Sequence, residues 1–287
     1  MIRLLKHPAL LAFFLTFAVM LRAADNSPRQ TLSLDGQWSF QLDPDSVGDS
    51  EGWHLPEKKL PHSINVPGAW DAQGFGPETE KMRNNFIGKG WYQRTIDVPS
   101  ASADQRFFLR FGGVYRDVRV WVNGHLAGYH LGYVSAFEFD ITPHVQPGQA
   151  AVITLRVNSE QQIDVDPLMG CLDIPDHLFS FWGGVWGHIS LERRNAAWLD
   201  ELFVQPRLAG EMAIVSARLR GDAAGADAVR LEVFSPDGRK ATERELPLAQ
   251  LLDDGLIEVD ASLPGAPRWS PETPNLHRAH LTLLRQG

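Results

Sequence analysis

The chain has 287 residues, 44% of them hydrophobic, which suggests about two domains and is enough for a sizeable core. Its net charge of −8 at pH 7 repels phosphate backbones and excludes nucleic acid as a favoured partner. The single cysteine, Cys171, excludes an intrachain disulfide and reads as a buried small hydrophobe.

The first element is a leader. Arg3, Lys6 and His7 precede an apolar run from Ala9 to Leu21, and Arg22-Ala23-Ala24 follows. That order predicts a secretory signal peptide over residues 1–24, and with it a periplasmic or secreted protein. The run is too short to favour a membrane span. Leu21 is larger than usual for its place before a cut after Ala23, so an uncleaved anchor is the alternative. Losing Arg3, Lys6 and Arg22 makes the remaining chain more acidic still.

Short strands follow. In Thr31–Leu42 a turn at Asp35-Gly36 precedes alternating Trp38 and Phe40. Residues 43–90 read as one irregular stretch rich in Pro, Gly and Asn. Tyr92, Ile96 and Val98 share one face of a strand from Gly90 to Val98. Phe107, Leu109 and Phe111 alternate in the next strand, and Val118, Val120 and Val122 alternate with Arg119 and Trp121 in the one after. Asn123-Gly124 tolerates positive φ and predicts a two-residue hairpin turn. Val122 then faces His125, Trp121 faces Leu126 and Val120 faces Ala127. Phe137, Phe139 and Ile141 alternate up to Thr142-Pro143. In Ala151–Asn158, Ile153, Leu155 and Val157 point inward, with Thr154, Arg156 and Asn158 outward. One hairpin cannot bury so many aromatics, so a second sheet is required.

Residues 159–181 form a second long loop carrying Asp164, Asp166, Asp173, Asp176 and His177, before a strand from about Val185 to Leu191. From Ala196 onward a new series begins. A strand ends at Pro206; Met212–Leu219, Val229–Phe234, Arg239–Leu246, Leu256–Leu263 and His280–Arg285 follow, with a turn at Ser235-Pro236-Asp237-Gly238. Their even spacing predicts a second β-sandwich.

No stretch matches a zinc-protease helix, a phosphate loop, a dinucleotide fingerprint or a nucleophile elbow. The histidines are scattered, and His277 and His280 should face opposite sides of one strand, so neither a metal nor another cofactor is expected. The Asp-rich loop is the one chemistry-capable cluster. Its carboxylates can start turns and make loop hydrogen bonds. They can recognise sugar hydroxyls with His177 while Trp182 or Trp186 offers an apolar face. Suitably spaced, a pair of them could hydrolyse a glycosidic bond. Packing between sheets is the competing role of both tryptophans, and the favoured one for Trp186.

Several runs together carry a resemblance. They are L-x-G-x-W-x-F at 34–40, VPGAW at 66–70, GWYQRTIDVP at 90–99, VWVNG at 120–124 and WGGVWGHISL at 182–191. In this order they resemble the sugar-binding domain of glycoside hydrolase family 2, which includes β-galactosidases, β-glucuronidases and β-mannosidases. Asp200–Pro206 and WSPETPNL at 269–276 are similar to the family's following immunoglobulin-like sandwich.

The resemblance implies an all-β fold, with a jelly-roll (galactose-binding-like) sandwich over 25–195 and an immunoglobulin-like sandwich over 196–287. It implies a β-linked glycoside or glycan as ligand. It also implies that the catalytic glutamates belong to a following (β/α)8 barrel, which this sequence does not reach, so no catalytic residue is expected here. Asp176 and Asn85 match, within a residue or two, the acidic residue and the asparagine that the family extends toward the substrate, with Asp173 and Asn84 as rivals. His177 lies beside Asp176. A stand-alone carbohydrate-binding module and a subunit completing a separately encoded barrel are the other readings. An incomplete second sandwich would leave an unpaired edge and favour self-association.

Overall fold

The computed structural model describes residues 29–78, 86–132, 135–160, 183–250 and 252–285. The chain is a jelly-roll sandwich followed by an immunoglobulin-like sandwich, and among the described residues no helix is long and apolar enough to cross a membrane.

The first sandwich runs from β1 (Arg29–Ser33), β2 (Gly36–Asp43), β3 (His62–Val66) and β4 (Gly68–Ala69) through β5 (Lys89–Asp97), β6 (Arg106–Phe111), β7 (Val114–Val122) and β8 (His125–Gly132). It closes with β9 (Phe137–Asp140), β10 (Ala150–Asn158), β11 (Gly184–Val185) and β12 (Ile189–Arg194). One sheet has the order β1-β12-β6-β9. The other has the order β3-β2-β5-β10-β7-β11-β4, with β8 added on β7. The inward positions follow the alternation: Trp38, Phe40, Tyr92, Phe107, Leu109, Phe111, Val118, Val120, Val122, Ile153, Leu155 and Val157 form one buried core.

The larger sheet departs from a one-sided pattern. Thr154, Arg156 and Asn158, expected outside, are buried, as is Trp121. The segment between β2 and β3 straps over that outer face. Trp53, Trp91 and Trp121 form a separate aromatic cluster with Leu60, and His54 stacks on Trp121 at 5.4 Å. Asp43 holds the strap's start by accepting the amides of Val47 and Gly48 and the indole N–H of Trp91. Asp49 of the strap accepts from Arg156 at 2.5 Å. With both faces covered, periodicity no longer separates inside from outside.

Residues 43–90 are also less irregular than expected, because β3 and β4 lie within them. β3 is a short run between prolines, and β4 spans two residues, too few to carry a periodic signal.

The β7–β8 hairpin turns at Asn123 (φ 50°) and Gly124 (φ 80°), with Val122 opposite His125 and Trp121 opposite Leu126. The third pair differs from expectation: Val120 faces Gly128, because a bulge takes up Ala127. The bulge brings Gly128 against the Phe139 ring, where any Cβ would sit 2.2 Å from a ring carbon. Asn123 also accepts from the Val152 amide and donates to the His144 carbonyl, both at 2.9 Å. Gly124→Val should therefore destabilise the protein by about 1–3 kcal/mol, through strain at positive φ. A Cβ at Gly124 would also stand 3.3 Å from Pro56 of the strap. An unaltered urea midpoint would contradict this assignment.

The second sandwich comprises β13 (Ala197–Arg207), β14 (Met212–Gly221), β15 (Ala228–Phe234), β16 (Lys240–Pro247), β17 (Leu252–Asp253), β18 (Leu256–Ser262) and β19 (Arg278–Leu284). Its sheets are β13-β14-β18-β17 and β16-β15-β19, closed on Val215, Val229, Leu231, Val233, Ile257 and Val259. β13 continues one residue past Pro206, which pairs with Ala213 on an edge strand where a missing N–H is harmless. β19 starts at Arg278, so His277 precedes the strand instead of sharing it with His280.

The two sandwiches meet at Arg194. Arg194 is 1% exposed, and its guanidinium forks onto both carboxylate oxygens of Glu138 (2.7 and 2.5 Å) while also binding Glu192. It lies over the rings of Phe108 (4.2 Å) and Trp198 (5.7 Å), and those two rings pack edge to face. Trp198 belongs to β13, so one buried cation joins β12 and β9 to the second sandwich.

Candidate functional site

The N-terminal end of β7 gathers the chain. β10 ends with Asn158 opposite Asp117, β8 ends with Gly132 opposite Arg116, and β11 enters with Gly184 opposite Tyr115. β4 pairs with the far side of β11 through Ala69–Gly184 and Gly68–Val185. The residues flanking segments 79–85, 133–134 and 161–182 therefore meet at one end of one sheet.

Trp70 and Asp71, directly after β4, tie these flanks together. The Trp70 amide donates to the Gly183 carbonyl at 2.9 Å, and its indole N–H donates to the Phe86 carbonyl at 3.1 Å. The Phe86 amide donates to Asp71 Oδ1 at 2.9 Å. Ser159 and Gly88 pair reciprocally, Ser159 N to the Gly88 carbonyl at 2.9 Å and Gly88 N to Ser159 Oγ at 3.1 Å. Gly183 is required by packing: a Cβ there would lie 1.8 Å from the Trp70 ring. The glycine doublet between Trp182 and Trp186 was the sequence signal for this close approach.

Two carboxylates here are perturbed. Burial pushes the Asp71 carboxyl up to about 7, against the pull of the Phe86 amide. Burial also raises Asp117, which Asn158 (3.1 Å) and Arg156 partly compensate. Asp71 is only 5% exposed and Asp117 2%. Neither can approach a substrate oxygen as hydrolysis by paired carboxylates demands. Beside them, Trp186 is half-buried and stacks on Tyr115 at 5.0 Å, and the Arg116 guanidinium lies over Tyr115 at 5.3 Å. Tyr115 and Arg116 are themselves buried, so Trp186 is the partly exposed member of this group. Among the described residues, no group of three His, Cys, Asp or Glu side chains could hold a metal.

Asn85, Asp176 and His177, with the rivals Asn84 and Asp173, lie outside the described residues, as do Cys171 and Trp182. The structure describes their neighbours Phe86 and Gly183, which Trp70 bridges. The sequence marks VPGAW as a motif but gives no sign of Asp71, Phe86 and Ser159 as the fasteners.

Residues 31–191 match the sugar binding domain of glycosyl hydrolases family 2. The chain belongs to that family. It is 24% identical to a β-glucuronidase of Paenibacillus borealis, over 92% of this chain and 44% of the relative. It is 27% identical to a β-glucuronidase of Bacteroides fragilis, over 96% of this chain and 38% of the relative. A β-galactosidase of Priestia megaterium matches at 25% identity over 97% of this chain and 28% of the relative. The chain thus spans less than half the length of these relatives. The crystal structure of Ruminococcus gnavus β-glucuronidase superposes with a TM-score of 0.72 at 20% identity, over 91% of this chain and 43% of that one, a likeness of fold.

Proposed function

We propose that this chain is the sugar-facing, non-catalytic N-terminal part of an exported family 2 glycoside hydrolase. Residues 25–195 form its sugar-binding unit, and residues 196–287 are the sandwich that sets this unit against a catalytic (β/α)8 barrel. The substrate is a β-linked glycoside, in keeping with the glucuronidases and the galactosidase it resembles. The observation that carries this reading is the shared root at β4, β7 and β11. It ties the flanks of 79–85 and 161–182 together, and those segments hold Asn85, Asp176 and His177. A cleft wall needs such a common root, so that hydroxyl-binding side chains from distant parts of the chain keep one spacing. Residues 1–24 direct export.

The purified chain should show no turnover of aryl β-glucuronide, β-galactoside or β-mannoside, because catalysis requires a positioned acid and a nucleophile or base. Turnover that copurifies with the protein and disappears on replacing Asp173 or Asp176 would refute the non-catalytic reading. The half-buried Trp186–Tyr115 stack favours a second reading, a module that binds glycan unaided. Calorimetry with β-linked oligosaccharides separates the two: binding by this chain alone, lost in Trp186→Ala, favours the module.

A further inference from the structure

Asp71 is an unusual residue to find at this root. It follows an apolar motif, sits among Trp70, Phe86 and Tyr92, and is 5% exposed. Its Oδ1 accepts the Phe86 amide, whereas its Oδ2 is buried with no hydrogen-bond partner. The Oη of Tyr92, a residue with no exposed surface, is a second buried oxygen, close to the Val185 backbone of β11. Tyr92 Oη lies against β11, 3.3 Å from where a Cβ on Gly184 would stand. Tyr92 is coupled electrostatically to Asp71, and that coupling, after burial, raises the tyrosine.

Among the described residues, the other segments packed around Asp71 carry no charge that could balance it. Its own segment, 68–73, has no other titratable residue, and neither 86–88 nor 183–185 has any. Tyr92 is the titratable group of β5 that faces it. An ionised carboxylate in such surroundings is costly, whereas a neutral acid buries no net charge and still accepts from Phe86.

We propose that Asp71 is a positioning residue that holds the flanks of 79–85 and 161–182 together in its protonated form, and that its ionisation releases them. The inference rests on the cleft-wall reading above and adds its regulation by pH. An ionised Asp71 is relieved by turning toward water. That movement gives up the Phe86 amide, and with it the register in which Trp70 holds both the Phe86 and the Gly183 carbonyls. The folded-state value of about 7 lies above that of a free carboxyl. The stabilisation tied to the proton is therefore complete at acid pH and lost as pH rises through about 7. The root is firm in mildly acid surroundings and loosens in alkaline ones.

Hydrogen exchange tests this on the unliganded chain. Protection at Phe86 and at Gly183–Val185, corrected for the intrinsic pH dependence of exchange, should fall roughly tenfold or more between about pH 5.5 and about pH 8.5. Distant amides such as those of β15 should show no corresponding fall. In Asp71→Asn, which keeps an acceptor for Phe86 and cannot ionise, the fall should vanish. Equal protection at both pH values in the unmodified chain, or the same fall in Asp71→Asn, would overturn the proposal. Should that variant not fold, infrared difference spectra of the unmodified protein decide: a protonated buried carboxylic acid persisting near pH 6 supports the proposal, and its absence refutes it. No ligand enters these measurements, so a failure to bind glycan would count against the function proposed above and not against this inference.

Discussion

Replacing Trp70 by alanine is expected to destabilise the first sandwich by about 3–5 kcal/mol, the usual cost of emptying a fully buried tryptophan site. Trp70 has no exposed surface, and its ring packs near Phe40 and edge-on to Phe86. Gly90 and Gly183 lie bare against it, so neither offers a side chain to refill the space. The loss is also local, because the Phe86 carbonyl gives up its indole donor. Trp70→Phe isolates that second component: most of the ring volume stays and one hydrogen bond goes, so about 1–2 kcal/mol should suffice. Gly183→Ala approaches the same contact from the other side and should be harmful by overpacking. Urea unfolding followed by near-ultraviolet circular dichroism reads all three. A Trp70→Ala midpoint equal to that of the parent would show that Trp70 does not hold the root together.

Arg194→Ala should be as damaging, for an electrostatic reason. Removing one partner of a buried ion pair leaves the others charged and unmatched, at a cost of about 3–5 kcal/mol. Here Glu192, itself buried, and part-buried Glu138 would both be stranded, although Arg29 and Arg110, each 3.8 Å from Glu192, soften the loss. Arg194→Lys keeps the charge but loses the fork onto Glu138 and should fall in between. A second effect follows from the rings. Without the guanidinium over Phe108 and Trp198, the two sandwiches lose their shared cation, so calorimetric unfolding should broaden or split. A single sharp transition at the parent's temperature in Arg194→Ala would sink both expectations.

Much of the framework was legible because a strand with one buried face must alternate. Trp38 and Phe40, Leu109 and Phe111, and Ile153, Leu155 and Val157 announce their side of the sheet by spacing alone. Asn123-Gly124 announces its turn, since few other pairs accept positive φ at both positions. The bulge at Ala127 is not announced, because it answers the Phe139 ring on another strand. Nor is the burial of Thr154, Arg156 and Trp121, which depends on where the strap between β2 and β3 lies down.

The family motifs, the all-β character and the run of two sandwiches belong to the sequence alone, since each is carried by local patterns of polarity and turn residues. The fasteners of the candidate site belong to the tertiary structure. Asp71 meets the Phe86 amide 15 residues away, Ser159 meets Gly88 across 71 residues, and Arg194 reaches Glu138 across 56. In the sequence Asp71 is one more polar residue after a tryptophan, and Arg194 one of two arginines at a strand's end. What each does is set by its surroundings, where burial raises the cost of an unmatched charge and a few well-placed donors decide which charges survive. Those surroundings exist only once distant strands have packed.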